Sequence, residues 1–141
     1  MRKLKSILLV DDDEATNFIH SLLLKEWDCV ENIYTAMNGQ EALDFLKTNE
    51  EFRVGKPSII LLDINMPVMN GFEFLEAYAD LPEEFKASIV VCMLTSSLHQ
   101  KDQDKASGFS DLNNFINKPL DKEAFDQIVA SIEEEHPQLG M

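Results

Sequence analysis

The 141-residue sequence is poor in cysteine, in basic residues and in long apolar segments. Its two cysteines, Cys29 and Cys92, fit neither a zinc-binding nor a C-x-x-C spacing, which argues against a disulfide framework or a zinc site. Lysine and arginine number 12 against 26 aspartate and glutamate residues. The resulting formal net charge of -14 disfavours nucleic-acid or membrane-surface partners. No apolar run approaches the roughly 18 residues of a membrane-spanning helix.

The basic N-terminal residues are followed by an apolar run that is too short for a signal peptide. Residues 7–10 are apolar, but Asp11 ends the run, whereas a signal peptide needs roughly 7–15 such residues. We therefore expect a cytoplasmic protein. Hydrophobic residues make up 45% of the sequence, enough to build a core. We predict a single domain over residues 1–141, with its core at about 5–135 and a tail at 136–141.

Three short apolar runs predict strands that are buried on both faces of a parallel sheet. They lie at residues 7–10, 59–62 and 89–94, contain Ile, Leu and Val without alternation, and each ends at a polar residue. Two weaker runs, at 30–36 and 113–117, mix polar and apolar residues, as strands at the edges of a sheet do.

Helical spacing of apolar residues appears between these strands. The residues predicted to face the core are Ala15, Ile19, Leu22 and Leu23 in the first helix, Ala42, Phe45 and Leu46 in the second, Phe72, Leu75 and Ala79 in the third, and Phe125, Ile128, Val129 and Ile132 in the last. Asp121 is the predicted N-cap of the last helix. A thinly anchored helix is expected over 98–107, with residues 95–97 as an N-cap cluster. Strand and helix thus alternate five times, which predicts a doubly wound α/β fold: a five-stranded parallel sheet with helices on both faces.

Polar residues follow the predicted strands at the end where open α/β sheets bind ligands. The first strand is followed by Asp11 and Asp12, the third by Asp63, the fourth by Thr95 and the fifth by Lys118. Carboxylates held close together repel one another unless a cation joins them. Oxygen ligands that leave room for water and phosphate suit Mg²⁺. The sequence therefore predicts a magnesium site at this edge of the sheet.

The same residues could carry out phosphoryl transfer. A carboxylate such as that of Asp63 can attack phosphorus and form an aspartyl phosphate. A metal ion and the Lys118 ammonium can neutralise charge on the transferring oxygens, and the Thr95 hydroxyl can donate to another oxygen.

These motifs resemble the receiver domains of two-component response regulators, of the stand-alone chemotaxis type. The matching segments are Val10-Asp11-Asp12, Asp63-Ile64-Asn65-Met66-Pro67 with Asn70-Gly71, Leu94-Thr95-Ser96 and Asn117-Lys118-Pro119. They come in the family's order and extend over essentially the whole chain. The resemblance implies a flavodoxin-like fold with strand order 2-1-3-4-5.

The resemblance also implies a role for each residue around the metal. Asp63 would be the phosphoacceptor, and Asp12 and Asp63 would bind Mg²⁺ directly. Asn65 would contribute its backbone carbonyl to the metal, and Asp11 would act through a water molecule.

The switching residues follow from the same resemblance. Thr95 would be the switch hydroxyl, Phe115 the aromatic switch residue, and Lys118 the partner of the phosphoryl group. The bond between Lys118 and Pro119 would be cis, as X-Pro bonds tolerate. Phe115 lacks a tyrosine hydroxyl, so its switching would rest on ring packing. Asp13 is expected to be exposed, outside the metal site.

A phosphorelay switch of this kind implies protein partners. The expected donor is a sensor histidine kinase or a histidine phosphotransfer protein, and an unknown downstream protein would read the output. We expect a monomer or weak dimer that is not an enzyme, beyond catalysing its own phosphotransfer and dephosphorylation.

Two alternative functions remain open at this point. One is a receiver-shaped binding module that is never phosphorylated. The other is a haloacid-dehalogenase-type phosphatase using Asp11 and Asp13, which would need a further acidic pair that residues 113–117 do not supply. The histidines at 20, 99 and 136 show no metal spacing and are expected at the surface or on helices.

Overall fold

The computed structural model describes residues 4–53, 58–86, 89–96, 99–118 and 120–135. Five strands and seven helices occur within these residues. Their bounds are β1 Leu4–Val10, α1 Glu14–Trp27, β2 Val30–Ala36, α2 Gly39–Thr48, α3 Glu50–Arg53, β3 Ser58–Leu62, α4 Gly71–Ala79, α5 Glu83–Lys86, β4 Ile89–Thr95, α6 Gln100–Ala106, β5 Leu112–Asn117 and α7 Lys122–Glu135.

The strands form one parallel sheet in the order β2-β1-β3-β4-β5. This confirms the predicted doubly wound fold and its strand order. Strand β3 is buried along its whole length, whereas the edge strands β2 and β5 carry exposed and half-buried residues. In the register, Val10 pairs with Leu62 and Leu62 with Met93, so β1 and β3 end level and β4 runs two residues further, to Thr95.

Side chains alternate between two apolar layers, one on each face of the sheet. One layer includes Leu8 and Ile60 and packs against α2 and α4, with Phe52 of α3 and Ala106 of α6. The other includes Ile7 and packs against helices α1 and α7. The sheet is therefore covered on both faces, as its apolar central strands require.

Several helix starts near the carboxyl edge of the sheet are fixed by side-chain caps. Asp13 accepts a hydrogen bond from the backbone nitrogen of Ala15 at the start of α1, and Asn38 caps α2 in the same way. Asn70 and Glu73 form a reciprocal capping box at the start of α4. Asp121 accepts from the Ala124 nitrogen at 2.7 Å, consistent with its expected place as the N-cap of α7.

The predicted inner face of α1 is wrong. The residues expected to face the core, Ala15, Ile19, Leu22 and Leu23, are exposed or half-buried; Ile19 is 53% and Leu22 49% exposed. Asn17, His20 and Leu24 face the sheet instead. This face is turned inward because the Asn17 amide donates to the backbone carbonyls of Asp11 and Ala36, and because the Leu24 side chain packs into the core. His20 is thus on a helix, as expected, but buried.

Other helices follow the prediction more closely. The stripe on α7 is confirmed, with Phe125, Ile128 and Ile132 buried. In α4, Phe72 and Leu75 are buried, but Ala79 is exposed because Phe74 and Tyr78 complete the inner face. The short helices α3 and α5 were not predicted.

Helix α6 is attached by few buried side chains, as predicted. Ala106 is its buried residue, and the helix ends just before Ser107. The expected N-cap cluster at 95–97 is wrong, because α6 begins later, at Gln100, with His99 in the N-cap position. None of the helices within the described ranges is long and apolar enough to cross a membrane.

Candidate functional site

Three carboxylates meet where β1 and β3 end. Asp11 and Asp12 follow β1, Asp63 follows β3, and one oxygen of each lies within 4.8 Å of the others. The backbone holds them there, since the Asp63 nitrogen donates to the Val10 carbonyl at 2.9 Å and the Asp11 nitrogen to that of Ala36 at 3.1 Å. Asp11 and Asp63 are 5% and 8% exposed, whereas Asp12 faces solvent.

The next acid, Asp13, lies outside this cluster. It is exposed, as expected, and its carboxylate accepts hydrogen bonds from Ala15 and Thr16 in the first turn of α1. The bond from the Thr16 hydroxyl holds the pKa of Asp13 below its usual value. Its backbone nitrogen donates to Oδ1 of Asp11 at 2.9 Å, which orients that carboxylate. Asp13 therefore caps the helix and supports Asp11.

Lys118 brings the positive charge to the cluster. It follows β5, its ammonium forms an ion pair with Asp11, and its Nζ lies 3.4 Å from Oδ1 of Asp63. Burial alone would lower the pKa of Lys118. The hydrogen bond to Asp11 and the charges of Asp63 and Asp11 outweigh burial, and they raise the pKa above its usual value.

Asp63 has a raised pKa. Burial is the main cause, because it disfavours the charged carboxylate. The charge of Lys118 acts in the opposite direction, and the negative charge of Asp11 adds to the rise. A further cation at the site would therefore favour the ionised form of Asp63.

The charge of the cluster suits a divalent cation. The three carboxylates outnumber the single ammonium, so the ionised cluster carries excess negative charge. All the offered ligand atoms of the carboxylates are oxygens, and Asp12 opens to solvent, which leaves room for water ligands. Hard oxygen donors with open positions are what Mg²⁺ prefers.

The loop after Asp63 folds back tightly, so that Gly71 packs against the backbone of Asp63 and Ile64. The Gly71 nitrogen donates to the Ile64 carbonyl at 2.8 Å, and a Cβ at Gly71 would collide with the carbonyl oxygen of Asp63. Val68 is 81% exposed and has a φ of 66°, a conformation that branched residues rarely adopt. Asn65 lies in the same loop, between Ile64 and Val68, and is exposed.

Thr95 and Phe115 lie on adjacent strands beside the cluster. Thr95 ends β4 and is 1% exposed, and its carbonyl oxygen accepts from the Lys118 nitrogen at 2.9 Å. Phe115 pairs with Met93 in the sheet register and is half-buried. A cavity of about 480 Å³ between α6 and β5 is lined by Phe115 together with Ala106, among others. The ring therefore borders open space.

Two residues behind the site were missed by the sequence analysis. Asn17 and His20 are buried on α1 and line a small cavity together with Asp11 and Asp63. Together with Leu24 they have the i, i+3, i+7 spacing of one buried helix face. This pattern was not recognised in the sequence because two of its three residues are polar. The expected cis bond before Pro119 lies outside the described residues.

Comparisons with known proteins agree with this geometry. The family model of the response regulator receiver domain matches residues 7–130. A protein-glutamate methylesterase/protein-glutamine glutaminase from Desulfotalea psychrophila is 42% identical over 90 residues, which are 64% of this chain and 23% of that protein. The chain thus spans about a quarter of the length of such relatives.

Solved structures share the whole fold. A two-component response regulator from Cytophaga hutchinsonii is 34% identical, with a TM-score of 0.82 over 94% of this chain and 99% of that one. The CheX-CheY-BeF3-Mg²⁺ complex from Borrelia burgdorferi matches with 26% identity and a TM-score of 0.72, covering 91% of this chain and 88% of that one. The matches do not favour a haloacid-dehalogenase-type phosphatase. The chain belongs to the receiver domains of response regulators, the phosphorylation-activated switches of two-component signalling.

Proposed function

We propose that this chain accepts a phosphoryl group on Asp63 from a phosphohistidine donor, with Mg²⁺, and signals through protein contacts. The observation that carries the proposal is the grouping of Asp11, Asp12 and Asp63 around Lys118 at the carboxyl edge of the sheet. An aspartate nucleophile, oxygen ligands for a cation and an ammonium are the parts that phosphoryl transfer to a carboxylate needs.

The residues of the cluster fit Mg²⁺. Asp12 and Asp63 would bind it directly, with the backbone carbonyl of Asn65, and Asp11 would contribute through water. When bound, the ion supplies charge neutralisation for the phosphoryl oxygens. The relative from Borrelia burgdorferi, solved with BeF3 and Mg²⁺, supports this assignment.

The nucleophile is the ionised carboxylate of Asp63. One of its oxygens forms a bond to phosphorus while the bond from phosphorus to the donor's imidazole nitrogen breaks, and the electron pair of that bond stays on the imidazole. Lys118 lies 3.4 Å from Asp63, so its ammonium can shift to a phosphoryl oxygen with little movement. The Thr95 hydroxyl donates to another oxygen.

Switching then involves Thr95 and Phe115. The phosphoryl group adds about -1.5 to -2 charge and three strong acceptors. A hydrogen bond to a charged group contributes roughly 1.5–3 kcal/mol, less than the about 5.5 kcal/mol needed to move an equilibrium from 1:99 to 99:1. Thr95 must therefore act together with Lys118. Movement of Thr95 would let Phe115 turn inward behind it, and the cavity beside α6 that the ring borders leaves room for that rotation.

The exposed apolar face of α1 is the surface we propose for the phosphohistidine donor, either a sensor histidine kinase or a histidine phosphotransfer protein. Phe18, Ile19 and Leu22 form it, and Phe18 is 62% exposed. Because α1 begins two residues after Asp12, a protein bound to this face would reach the open side of the cluster. The weakly attached α6 and β5 would present the altered surface to the downstream protein.

The chain would act as a switch whose own chemistry is limited to phosphotransfer and dephosphorylation. Intact mass spectrometry after incubation with Mg²⁺ and acetyl phosphate tests this proposal. The unmodified sequence should gain the mass of one phosphoryl group, and Asp63→Asn should gain none. Asp12→Asn should lose labelling through loss of the metal ligand.

Asp13→Asn is the matched control, since Asp13 is the neighbouring acid outside the cluster and asparagine also caps helices well. It should be labelled normally. Full labelling of Asp63→Asn would overturn the assignment of the phosphoacceptor, and absence of labelling in the unmodified protein would favour a binding module that is never phosphorylated. A pull-down with and without the modification would then identify phosphorylation-dependent partners.

A further inference from the structure

Asn17 lies directly behind the carboxylates and is 4% exposed. Its Nδ2 donates to the carbonyl oxygen of Asp11 at 2.9 Å and lies 3.4 Å from that of Ala36. Because these two neighbours are carbonyl oxygens, which only accept hydrogen bonds, this end of the amide must be the NH₂ group; the third neighbour is Sδ of Met37, at 3.8 Å. The Asn17 side chain therefore links the residue that follows β1, Asp11, to the last residue of β2, Ala36. The first of these two residues immediately precedes Asp12.

The other end of the amide has no hydrogen-bond partner among the described residues. Oδ1 of Asn17 is buried and unpaired there. Asn17 also lines a cavity of about 10 Å³, together with Asp11, His20 and Asp63. This is about the smallest space that can hold one water molecule. His20 lines the same cavity, so its imidazole lies beside any water that this space holds. Burial disfavours the charged form of that ring and lowers its pKa, as does the charge of Lys118, whereas the charge of Asp11 raises it.

We propose that Asn17 is a positioning residue of the metal site. Its amide fastens the backbone at Asp11, so that the carboxylates of Asp11 and Asp12 are directed toward a cation shared with Asp63. The inference rests on the proposed Mg²⁺-dependent function and adds to it a residue that never touches the ion.

The chemistry of the position explains why an amide is needed. A leucine of similar size would leave the Asp11 carbonyl without its donor, and a buried carbonyl that loses its partner is costly. An aspartate would place an oxygen against two carbonyl oxygens. In either case the turn carrying Asp11 and Asp12 would relax away from the geometry that binds the ion. Loss of a group that orients metal ligands typically weakens metal binding about 10- to 100-fold.

The test compares Mg²⁺ affinity with stability in the same variants. Mg²⁺ is titrated into ¹⁵N-labelled protein, and the dissociation constant is read from the amide shifts of residues such as Asp12. Urea unfolding in EDTA gives the stability without metal. We expect Asn17→Leu to bind Mg²⁺ about tenfold more weakly. Asn17→Ala, which is easier to accommodate, should show the same direction of change.

Ser58→Ala is the matched control. The Ser58 hydroxyl is buried and donates to the Phe52 carbonyl at 3.0 Å, at the opposite end of β3. Its loss also removes one buried side-chain-to-backbone bond and should lower stability while leaving Mg²⁺ affinity unchanged.

Each outcome decides a different point. If folded Asn17→Leu or Asn17→Ala binds Mg²⁺ as tightly as the unmodified protein, Asn17 is only structural and the inference is wrong. If Ser58→Ala weakens Mg²⁺ binding equally, the effect is general and the inference also fails. If the unmodified protein does not bind Mg²⁺, the proposed function itself fails.

Discussion

The backbone nitrogen of Lys118 donates a 2.9 Å hydrogen bond to the carbonyl oxygen of Thr95. Thr95 is the last residue of β4, and Lys118 directly follows the last residue of β5, Asn117, which pairs with Thr95 in the sheet. The proposed hydroxyl and ammonium partners of the phosphoryl group therefore share one backbone link. A displacement of Thr95 should be transmitted to Lys118 and to the strand that carries Phe115.

Titration of Asp63 should make the metal-free protein less stable as the pH rises. Burial raises the pKa of Asp63 above its usual 3.8, so the folded state holds the proton more tightly than the unfolded state. This contribution is fully present below the unfolded pKa and is lost as the pH rises through the folded pKa. As the pH rises above about 4, Asp63→Asn should therefore lose less stability than the unmodified protein, by at most about 1.4 kcal/mol per pH unit.

Urea unfolding in EDTA at a series of pH values measures this difference. Asp13→Asn is a control of opposite sign, because the Thr16 hydrogen bond lowers the pKa of Asp13 and its contribution is lost as the pH falls. Identical pH profiles for Asp63→Asn and the unmodified protein would contradict the prediction.

Gly71→Ala should destabilise the protein and distort the loop after Asp63. The added Cβ would collide with the Asp63 carbonyl oxygen and lie 3.0 Å from Cα of Ile64, both backbone atoms that cannot turn aside. Overpacking of this kind costs about 1–3 kcal/mol. Gly108→Ala is the control, since its Cβ would lie 3.4 Å from the Lys105 carbonyl and should change stability by less than about 0.5 kcal/mol. Equal urea midpoints for the two variants would count against the prediction.

Val68→Asn should stabilise the protein by about 0.5–1 kcal/mol, because asparagine tolerates the positive φ of this exposed position better than a branched residue does. Thermal and urea unfolding would measure the gain. Val68→Thr keeps the branch at Cβ and should give no gain. A stabilisation by threonine as large as that by asparagine would show that removal of an exposed apolar side chain, and not backbone strain, is responsible.

Substitution of either Ile19 or Leu22 by serine should slow phosphotransfer from a histidine phosphotransfer protein about tenfold. Burial of one such side chain in an interface contributes roughly 1.5 kcal/mol or more. Labelling by acetyl phosphate needs no protein contact and should be unchanged, and stability should change little because both side chains are exposed. Equal loss of both reactions would mean that the substitutions damage the site itself.

The fold and the grouping of the site could be predicted because both follow from the strands. Buried parallel strands appear as uninterrupted apolar runs, and the polar residue that ends each run is carried to one edge of the sheet. Asp11, Asp63 and Lys118 meet there without any side-chain detail being needed. The cytoplasmic location and the single-domain boundaries stay predictions.

The orientation of α1 could not be predicted from apolar spacing. Ile19 and Leu22 form a regular stripe, but the inner face is set by the hydrogen bond from Asn17 to Asp11, which the apolar pattern does not encode. The start of α6 at Gln100 was missed for a related reason, since serine and threonine after a strand favour a cap but do not require one.

Lys118 is already occupied before any phosphoryl group arrives, through its ion pair with Asp11 and its approach to Asp63. The resting and activated forms therefore compete for the same ammonium. Their relative populations depend on the difference in free energy between the ammonium paired with Asp11 and the ammonium paired with the phosphoryl group. A stronger ion pair with Asp11 would favour the resting form. Substitutions that change the ion pair between Asp11 and Lys118 could thus alter how readily the protein is activated, without any change at Asp63.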